Sequence, residues 1–420
     1  MTAVSTVEPD ALLLELIATP EGRADPYPRY AALRERAPVH RSAFGIWTLT
    51  NYDDCQMLLR HPGVGKDFSS AMNSLGLSDA DREAQDRFRN DRSNMLVTDP
   101  PDHTRLRGLV TRAFTPRTVE KLRPRIVALV DELLDAFGPG QGPSGPGSGV
   151  EVEVMDALAF PLPVTVIGDM LGVPAEDRPL LRPLVRSVTA ILELAVSPEA
   201  LAEAADADAK LGAYFADLVA DRRAHPRDDL LTKLIEAEDQ GDQLTEHELI
   251  STVILLFAAG FETTTHLIGN GLLALLRNPG ELARLRADRS LVRSAVEELL
   301  RYDSPVQIAA RTTYEELHVG GQTIPPGNLV LAMLGAANRD PARFRDPERL
   351  DVGRDEGAPM SFGGGIHFCL GAALARLEGQ IVLDRVLDRF ATMELVGGPP
   401  TVRDSLTLRG LVDLRVRFSA

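Results

Sequence analysis

One cysteine near the C-terminal end of the chain stands in a setting suited to metal chemistry. Cys369 follows the glycine-rich run from Phe362 to Phe368 and precedes a helical pattern with apolar residues from Leu370 to Leu387. The free N–H groups and the dipole of a helix N-terminus favour a negative charge, so a thiolate here would be a good ligand for a soft metal. The glycines would let the backbone wrap closely around a bound group. The alternative is a buried, inert cysteine, the commoner role of a lone thiol.

The second cysteine lacks these features. Cys55 lies in a short amphipathic helical pattern, Tyr52 to Leu59, with no glycine loop beside it, and is expected to be a packing residue. Two cysteines so far apart in sequence and context predict no disulfide framework and favour a reduced, cytoplasmic protein.

A long helical pattern at 246–277 contains residues that helix interiors usually avoid. Its middle, Phe257 to Thr265, includes a glycine, an acid and three threonines. Gly260 costs about 1 kcal/mol relative to alanine in a helix. Thr263 can bond back to the carbonyl of Ala259 and bend the helix. This local disruption predicts a functional groove, and a kink needed for packing is the alternative.

Two charged pairs occur at helical spacing. His103 and Arg107 lie four apart after a credible helix start at Asp102 and would form a cationic pair, unless they belong to an ordinary solvated face. Glu298 and Arg301 lie three apart and share one helical face, where a surface ion pair is the plain alternative.

The elements that must position these residues are mostly helical. Short β-prone runs occur at 150–154 and 317–334, and an irregular, proline- and arginine-rich connection occupies 340–361. The expected fold class is therefore mainly α with small β-sheets (α+β), the sheets lying towards both ends of the chain. Apolar periodicity predicts the helices 119–137, 163–171, 178–194, 199–224, 228–238, 246–277, 281–286 and 290–302.

Bulk properties narrow the function classes. The net charge of −16 argues against general nucleic-acid binding. The apolar stretch at 11–18 is too short to span a bilayer, contains Glu15 and has no basic segment before it, so neither a membrane anchor nor a secretory signal is expected. The run 138–149 (GPGQGPSGPGSG) predicts a flexible surface loop within a single domain, 1–420, and a domain linker is the alternative.

Together these segments resemble the cytochrome P450 family of haem-thiolate monooxygenases, in particular its soluble bacterial, actinobacterial-type branch. Where the family commonly has arginine two residues before the cysteine, this chain has His367, a known bacterial alternative. The motifs, in the family's order, are Asp-Pro-Pro-x-His-Thr-x-x-Arg at Asp99–Arg107, Ala-Gly-x-Glu-Thr at Ala259–Thr263, Glu-x-x-Arg at Glu298–Arg301, and Phe-x-x-Gly-x-His-x-Cys-x-Gly at Phe362–Gly371.

The resemblance implies a cytochrome P450 fold, one large helical domain with a β-rich lobe. It makes Cys369 the thiolate ligand of haem b (iron protoporphyrin IX), and makes Glu262 and Thr263 the acid–alcohol pair that delivers protons. Glu298 and Arg301 would form a structural network. The remaining implied haem neighbours are His103, Arg107, Arg311 and His367 at the propionates, with Ala259, Phe362, Gly365 and Gly371 around the ring.

The resemblance also implies a lipophilic small-molecule substrate. Each of its expected contacts could equally be a core residue. They are Leu96, Val97, Leu192, Phe257, Ala258, Val306, Ile308, Ala309 and Leu408.

The implied reaction inserts one oxygen atom from O2 into that substrate by hydroxylation or epoxidation, as in polyketide or macrolide tailoring. Alternatives are a peroxide-driven peroxygenase, against which the retention of Glu262 and Thr263 argues, and a non-catalytic haem sensor. Electrons would come from NAD(P)H through a ferredoxin reductase and a ferredoxin. A basic stretch could dock the acidic ferredoxin or be a solvated face, namely Arg105, Arg112, Arg117, Lys121 and Arg123.

Overall fold

The computed structural model describes residues 8–68, 93–138, 149–194, 196–239 and 244–419. Most of the predicted loop at 138–149 therefore lies outside the described residues. The helices are α1 (Pro9–Ala18), α2 (Pro20–Ala24), α3 (Tyr27–Arg36), α4 (Tyr52–Arg60), α5 (Asp102–Thr111), α6 (Pro116–Glu120), α7 (Arg123–Asp135), α8 (Pro161–Leu171), α9 (Arg178–Thr189), α10 (Pro198–Ala224), α11 (Leu230–Asp239), α12 (Glu246–Arg277), α13 (Pro279–Ala287), α14 (Val292–Tyr302), α15 (Leu334–Ala337) and α16 (Ala372–Arg389).

Three small sheets accompany the helices. The largest has the strand order β1-β2-β8-β5-β3, in which only β2 and β8 run parallel. A second has the order β4-β10-β9, and β6 and β7 form a hairpin. The strands are β1 (Val39–Arg41), β2 (Trp47–Leu49), β3 (Val64–Gly65), β4 (Val150–Glu153), β5 (Ile308–Thr313), β6 (Leu317–Val319), β7 (Gln322–Ile324), β8 (Leu329–Met333), β9 (Thr392–Leu395) and β10 (Arg415–Ser419).

Helix α12 is the central element of the main hydrophobic core, where it packs against α8, α10, α14 and α16. It begins at a capping box, because the Thr245 hydroxyl accepts from the Glu248 N–H while the Glu248 carboxylate accepts from the Thr245 N–H. It ends before Asn278-Pro279, as proline cannot continue the helix. Of the described helices, α12 alone is long and apolar enough to cross a bilayer, yet 78% of its most apolar window is buried inside the protein.

The fold class expected from the sequence, mainly α with small sheets, is confirmed. The central helix has the predicted bounds, and β6, β7 and β8 lie within the β-prone run predicted at 317–334. The helix predicted at 119–137 is wrong as a single element, because the chain turns at Lys121 and Leu122 between α6 and α7. Pro124 in the first turn of α7 is compatible with a new helix start.

Candidate active site

The cysteine loop is a tight backbone structure in front of α16. The N–H of Cys369 donates to the carbonyl of Phe362 at 2.9 Å, which closes the loop between the two ends of the motif. Gly365 has φ +67°, and a Cβ there would lie 2.0 Å from the carbonyl oxygen of Leu59 in α4. Gly371 has an ordinary φ of −82°, and a Cβ there would meet no protein atom. The protein itself therefore explains the glycine at 365 and does not explain the one at 371.

The Cys369 side chain is accessible, whereas Cys55 is fully buried and donates to the carbonyl of Leu49 at 3.1 Å as a packing residue. Desolvation by the surrounding protein raises the pKa of the Cys369 thiol. This desolvation raises the pKa by more than the N–H groups of Gly371 and Ala372 and the charge of Arg107 lower it. The N–H groups at the start of α16 thus favour the thiolate, as the sequence predicted, but do not offset its desolvation. A coordinated metal ion would deprotonate the thiol outright.

Four predicted propionate partners share one neighbourhood. The rings of His103 on α5 and His367 have centroids 4.3 Å apart, and Arg107 donates to the carbonyl of Phe368 at 2.6 Å. Arg311 on β5 is buried and donates to its neighbouring carbonyl at Ala310. Desolvation and the nearby charges, Lys66 first and then Arg311, His103 and Arg107, lower the pKa of His367 to about 2.

Lys66 belongs to this group although no sequence motif pointed to it. It follows β3 directly, and among the nearby charges its own has the largest lowering effect on the pKa of His367. Its residue type could have drawn attention to it, because lysine is rare in this chain, with four lysines among many arginines. The pairing of β3 with β5 decides its position, and that pairing is not local.

These residues fit a haem group. In the part of the chain that the structure describes, no ion pair joins Lys66, His103, Arg107, Arg311 or His367 to a carboxylate. The Nε2 atoms of both histidines are buried without a hydrogen-bond partner. The unpaired positive charges of Lys66, Arg107 and Arg311, with the two histidine N–H groups beside them, call for an anionic ligand in this partly buried place. The two carboxylates of haem supply that charge, the accessible Cys369 suits its iron, and Gly371 has no side chain to block its approach.

The middle of α12 exposes a narrow face. Ala259 is exposed and Thr263 is half-buried, although both lie in the centre of a core helix. They are four residues apart and share this face. The Thr263 hydroxyl donates to the Ala259 carbonyl at 3.2 Å, the bond that the sequence predicted. The helix remains α-helical through this bond, so the expected local disruption is limited to the side chains.

Gly260 has a packing reason. A Cβ at this position would lie 2.7 Å from the Cγ1 atom of Ile167 on α8. The glycine thus permits the close approach of α8 and α12, which was the alternative explanation for this segment.

Glu262 is buried and held by basic groups. Arg403 donates a hydrogen bond to its carboxylate, and Nε2 of His266 lies 3.6 Å from Oε1. Burial by itself would raise the pKa of Glu262, but His266, Arg403 and Arg186 outweigh it and lower the pKa to about 2. The acid is therefore ionised, and its connection to solvent runs through Arg403, whose side chain is 21% exposed.

Glu298 and Arg301 form a buried network. Their side chains are bidentate, with Nε–Oε2 at 2.6 Å and Nη2–Oε1 at 2.9 Å, and both residues are 1% exposed. Arg301 also donates to the carbonyls of Asn338 and Pro347. Arg354 donates to Glu298 at 3.0 Å. The network ties α14 to the irregular segment 338–354, so the plain reading of a surface ion pair is wrong.

The C-terminal hairpin, residues 402–411, joins several predicted substrate contacts. Val306 and Leu408 form a β-bridge, and the Thr407 hydroxyl donates to the carbonyl of Leu192 at 2.9 Å. The Glu193 carboxylate accepts from Ser405 and from the backbone N–H groups of residues 406 and 407. Leu192, Val306 and Leu408 are thereby brought together.

The remaining predicted contacts lie in different surroundings. Ile308 is buried and Ala309 half-buried on β5, while Leu96 is 38% exposed beside the half-buried Val97. Phe257 is fully buried and packs edge-on against Phe215 and Phe261. Its contacts are those of a core residue, since it lies two positions from Ala259 on the opposite side of α12. Ala258 is also buried.

Comparisons with known proteins agree with this geometry. The family model described as Cytochrome P450 matches residues 65–411. Cytochrome P450 107B1 of Saccharopolyspora erythraea is 46% identical over 404 residues, covering 94% of this chain and 96% of the relative. The polyketide biosynthesis cytochrome P450 PksS of Bacillus subtilis is 38% identical, covering 96% and 99%.

The same relationship holds in three dimensions. The ligand-free crystal structure of Mycobacterium smegmatis CYP164A2 matches with a TM-score of 0.86 and 40% identity, covering 97% of this chain and 99% of that one. Fold, motifs and relatives agree over nearly the whole length. The chain belongs to the cytochrome P450 family of haem-thiolate monooxygenases, in its bacterial branch.

Proposed function

We propose that this P450 inserts one oxygen atom from O2 into a lipophilic, polyketide-like molecule by hydroxylation or epoxidation. The observation that carries the proposal is the pairing of Thr263, whose hydroxyl lies on the accessible face of α12, with the ionised Glu262 directly behind it. A peroxide-driven peroxygenase or a haem sensor needs no such acid–alcohol pair. Haem ligated by the Cys369 thiolate would supply the chemistry that cleaves the O–O bond.

The protein's own residues would hold the group and move protons. His103, Arg107, Arg311 and His367 would bind the haem carboxylates, and Phe362, Gly365 and Gly371 would shape the loop around Cys369. The Thr263 hydroxyl rests on the Ala259 carbonyl and can turn to donate to a group on the accessible face. Glu262 would resupply its proton from the side of Arg403, where the exposed guanidinium meets solvent.

Substrate choice would depend on the residues around the C-terminal hairpin. Leu192, Val306 and Leu408 lie together there, and apolar side chains of this kind suit a lipophilic molecule. Ala309 and the exposed Leu96 are the next candidates, with Val97 and Ile308 beside them. The relative named for polyketide biosynthesis supports a polyketide-like substrate class.

Electrons would reach the site from NAD(P)H through a ferredoxin reductase and a ferredoxin in the cytoplasm. The residues of the predicted basic stretch form two groups in the structure, those paired with acids and those exposed. Arg105 pairs with Glu248 and Asp102, and Arg123 pairs with Glu120. The exposed Arg112, Arg117 and Lys121 are thus the better docking groups for an acidic ferredoxin. Reversing the charge at Arg117 should slow ferredoxin-dependent reduction while leaving reduction by dithionite unchanged.

Two measurements test the proposed activity in sequence. The reduced, carbon-monoxide-bound protein should show the strongly red-shifted Soret band of thiolate ligation, and Cys369→Ser should lose it. Supplied with ferredoxin, reductase and NAD(P)H, the enzyme should then yield an oxygenated product from macrolide or other polyketide substrates that shift its spectrum on binding. The peroxygenase would be established instead by a normal Soret band, no product in the ferredoxin-driven reactions, and product when peroxide alone is supplied.

A further inference from the structure

Lys66 lies directly beside Arg311. Strand β3 pairs with β5 in antiparallel register, with Val64 opposite Thr313 and Gly65 opposite Thr312. Lys66 follows Gly65 directly, at the bend where this pairing ends, and Arg311 precedes Thr312 on the partner strand. The two side chains are close enough for the charge of Arg311 to lower the pKa of Lys66. Two cations so close together cost free energy unless an anion lies between them.

The nearest acid does not neutralise them. The Asp99 carboxylate accepts from the Tyr314 hydroxyl and from the backbone N–H of Lys66, and forms no ion pair with the Lys66 ammonium. Desolvation and the charge of Arg311 lower the pKa of Lys66 well below its usual range, and Asp99 only partly offsets this. Within the described ranges, the ammonium also lies 5.7 Å from the centre of the Phe68 ring, near the outer limit for a cation–π contact.

We propose that Lys66 is a fifth cationic ligand of the haem carboxylates, binding the one held by Arg311. The inference rests on the haem-thiolate function proposed above. It explains why the fold tolerates a lysine beside a buried arginine, since a carboxylate between them converts repulsion into two charge-assisted hydrogen bonds.

The test compares Lys66→Met, which keeps the unbranched apolar stem without the charge, with Lys66→Arg, which keeps the charge. Lys210→Met is the matched control, because Lys210 is an exposed lysine that pairs with Asp206 along α10. Haem transfer from each holoprotein to excess apomyoglobin measures how firmly the group is held. Lys66→Met should lose haem about tenfold faster than wild type, the effect expected from one hydrogen bond to a charged partner. Lys66→Arg and Lys210→Met should stay close to wild type.

A second readout separates a haem contact from a structural role. Removing a positive charge beside the haem should lower the midpoint reduction potential in Lys66→Met and leave it nearly unchanged in Lys66→Arg. Equal haem-transfer rates for Lys66→Met and wild type, or faster loss with no change in potential, would overturn the proposal. Failure of the haem assignment itself looks different, since the wild type would then lack the thiolate Soret band.

Discussion

Arg403, on the C-terminal hairpin, donates a hydrogen bond to the buried carboxylate of Glu262 in the middle of α12. The next residue along the helix, Thr263, bonds instead to the carbonyl of Ala259 on the accessible face. Adjacent residues of one motif therefore belong to two different environments. The acid is tied to a distant segment on the solvent side, and the alcohol lies on the accessible face of the helix.

Replacing the alcohol tests its role in proton delivery. Thr263→Ala should continue to consume NAD(P)H but release hydrogen peroxide in place of most of the product, because no hydroxyl remains on the accessible face to place a proton. The ratio of product to NAD(P)H consumed is the measurement. Thr263→Ser keeps the hydroxyl and should retain most of the coupling. Full coupling in the alanine variant would remove Thr263 from the mechanism.

The ion pair between Arg403 and Glu262 should contribute to stability in a pH-dependent way. In the wild type the pKa of Glu262 is lowered to about 2, below the value of about 4.3 in the unfolded chain. The stability from this group is thus complete above about pH 4.3 and is lost as the pH falls towards 2. Without Arg403, the pKa of Glu262 should rise towards its unfolded value, because His266 and Arg186 remain, so the stability that this group adds above about pH 4.3 should be smaller.

Arg403→Gln should therefore be destabilising by about 1–3 kcal/mol at pH 7 and by less at pH 4, where the wild type has already lost part of this stability. Denaturant unfolding of the holoprotein at the two pH values measures the difference. Arg415→Gln, at an exposed position of β10, is the control and should show no such pH dependence. Equal losses at both pH values would mean that Arg403 acts through packing alone.

Glu378 on α16 is a buried acid that forms no ion pair with any residue the structure describes. It is 1% exposed, its Oε2 atom has no hydrogen-bond partner, and burial raises its pKa to about 8. The unfolded chain releases this proton near pH 4.3 while the folded chain keeps it, so stability should fall as the pH rises from there through 8.

Glu378→Gln should remove this dependence and make the protein more stable at pH 9 by about 2 kcal/mol. Unfolding at pH 6 and pH 9 checks the prediction. Glu394→Gln, at an exposed position of β9, should leave the pH profile unchanged. A profile that stays the same in Glu378→Gln would show that another group titrates.

The Glu298–Arg301 network should tolerate no substitution that loses its fork geometry. Arg301→Met leaves the Glu298 carboxylate with Arg354 as its remaining cation, and should cost about 3 kcal/mol or more. Arg301→Lys keeps the charge but cannot make the bidentate contact or reach both backbone carbonyls, so it should rescue little. The yield of soluble, haem-loaded protein and its denaturant midpoint are the measurements. Arg293→Lys, an exposed arginine on the same helix, should be neutral.

The sequence predicts those parts of the site whose cooperating residues are close together in the chain. Three such features each span ten residues or fewer, so helix spacing and glycine content fix their geometry. They are the cysteine loop, the Thr263–Ala259 bond and the Glu298–Arg301 pair. The bounds of α12 could also be predicted from the sequence, because one long apolar pattern lies between a capping box and an Asn-Pro end. Phe257 was misleading, since its motif places it in the family's pocket region while its side chain packs in the core.

The sequence by itself thus determined the family and the class of chemistry, because both are carried by motifs that local backbone geometry holds together. Only the tertiary structure placed Lys66 near Arg311, Arg403 on Glu262, and Leu192 beside the C-terminal hairpin. These contacts join segments that are more than a hundred residues apart. They arise from strand register and helix packing, which depend on the whole core and leave no periodic signal in either segment alone.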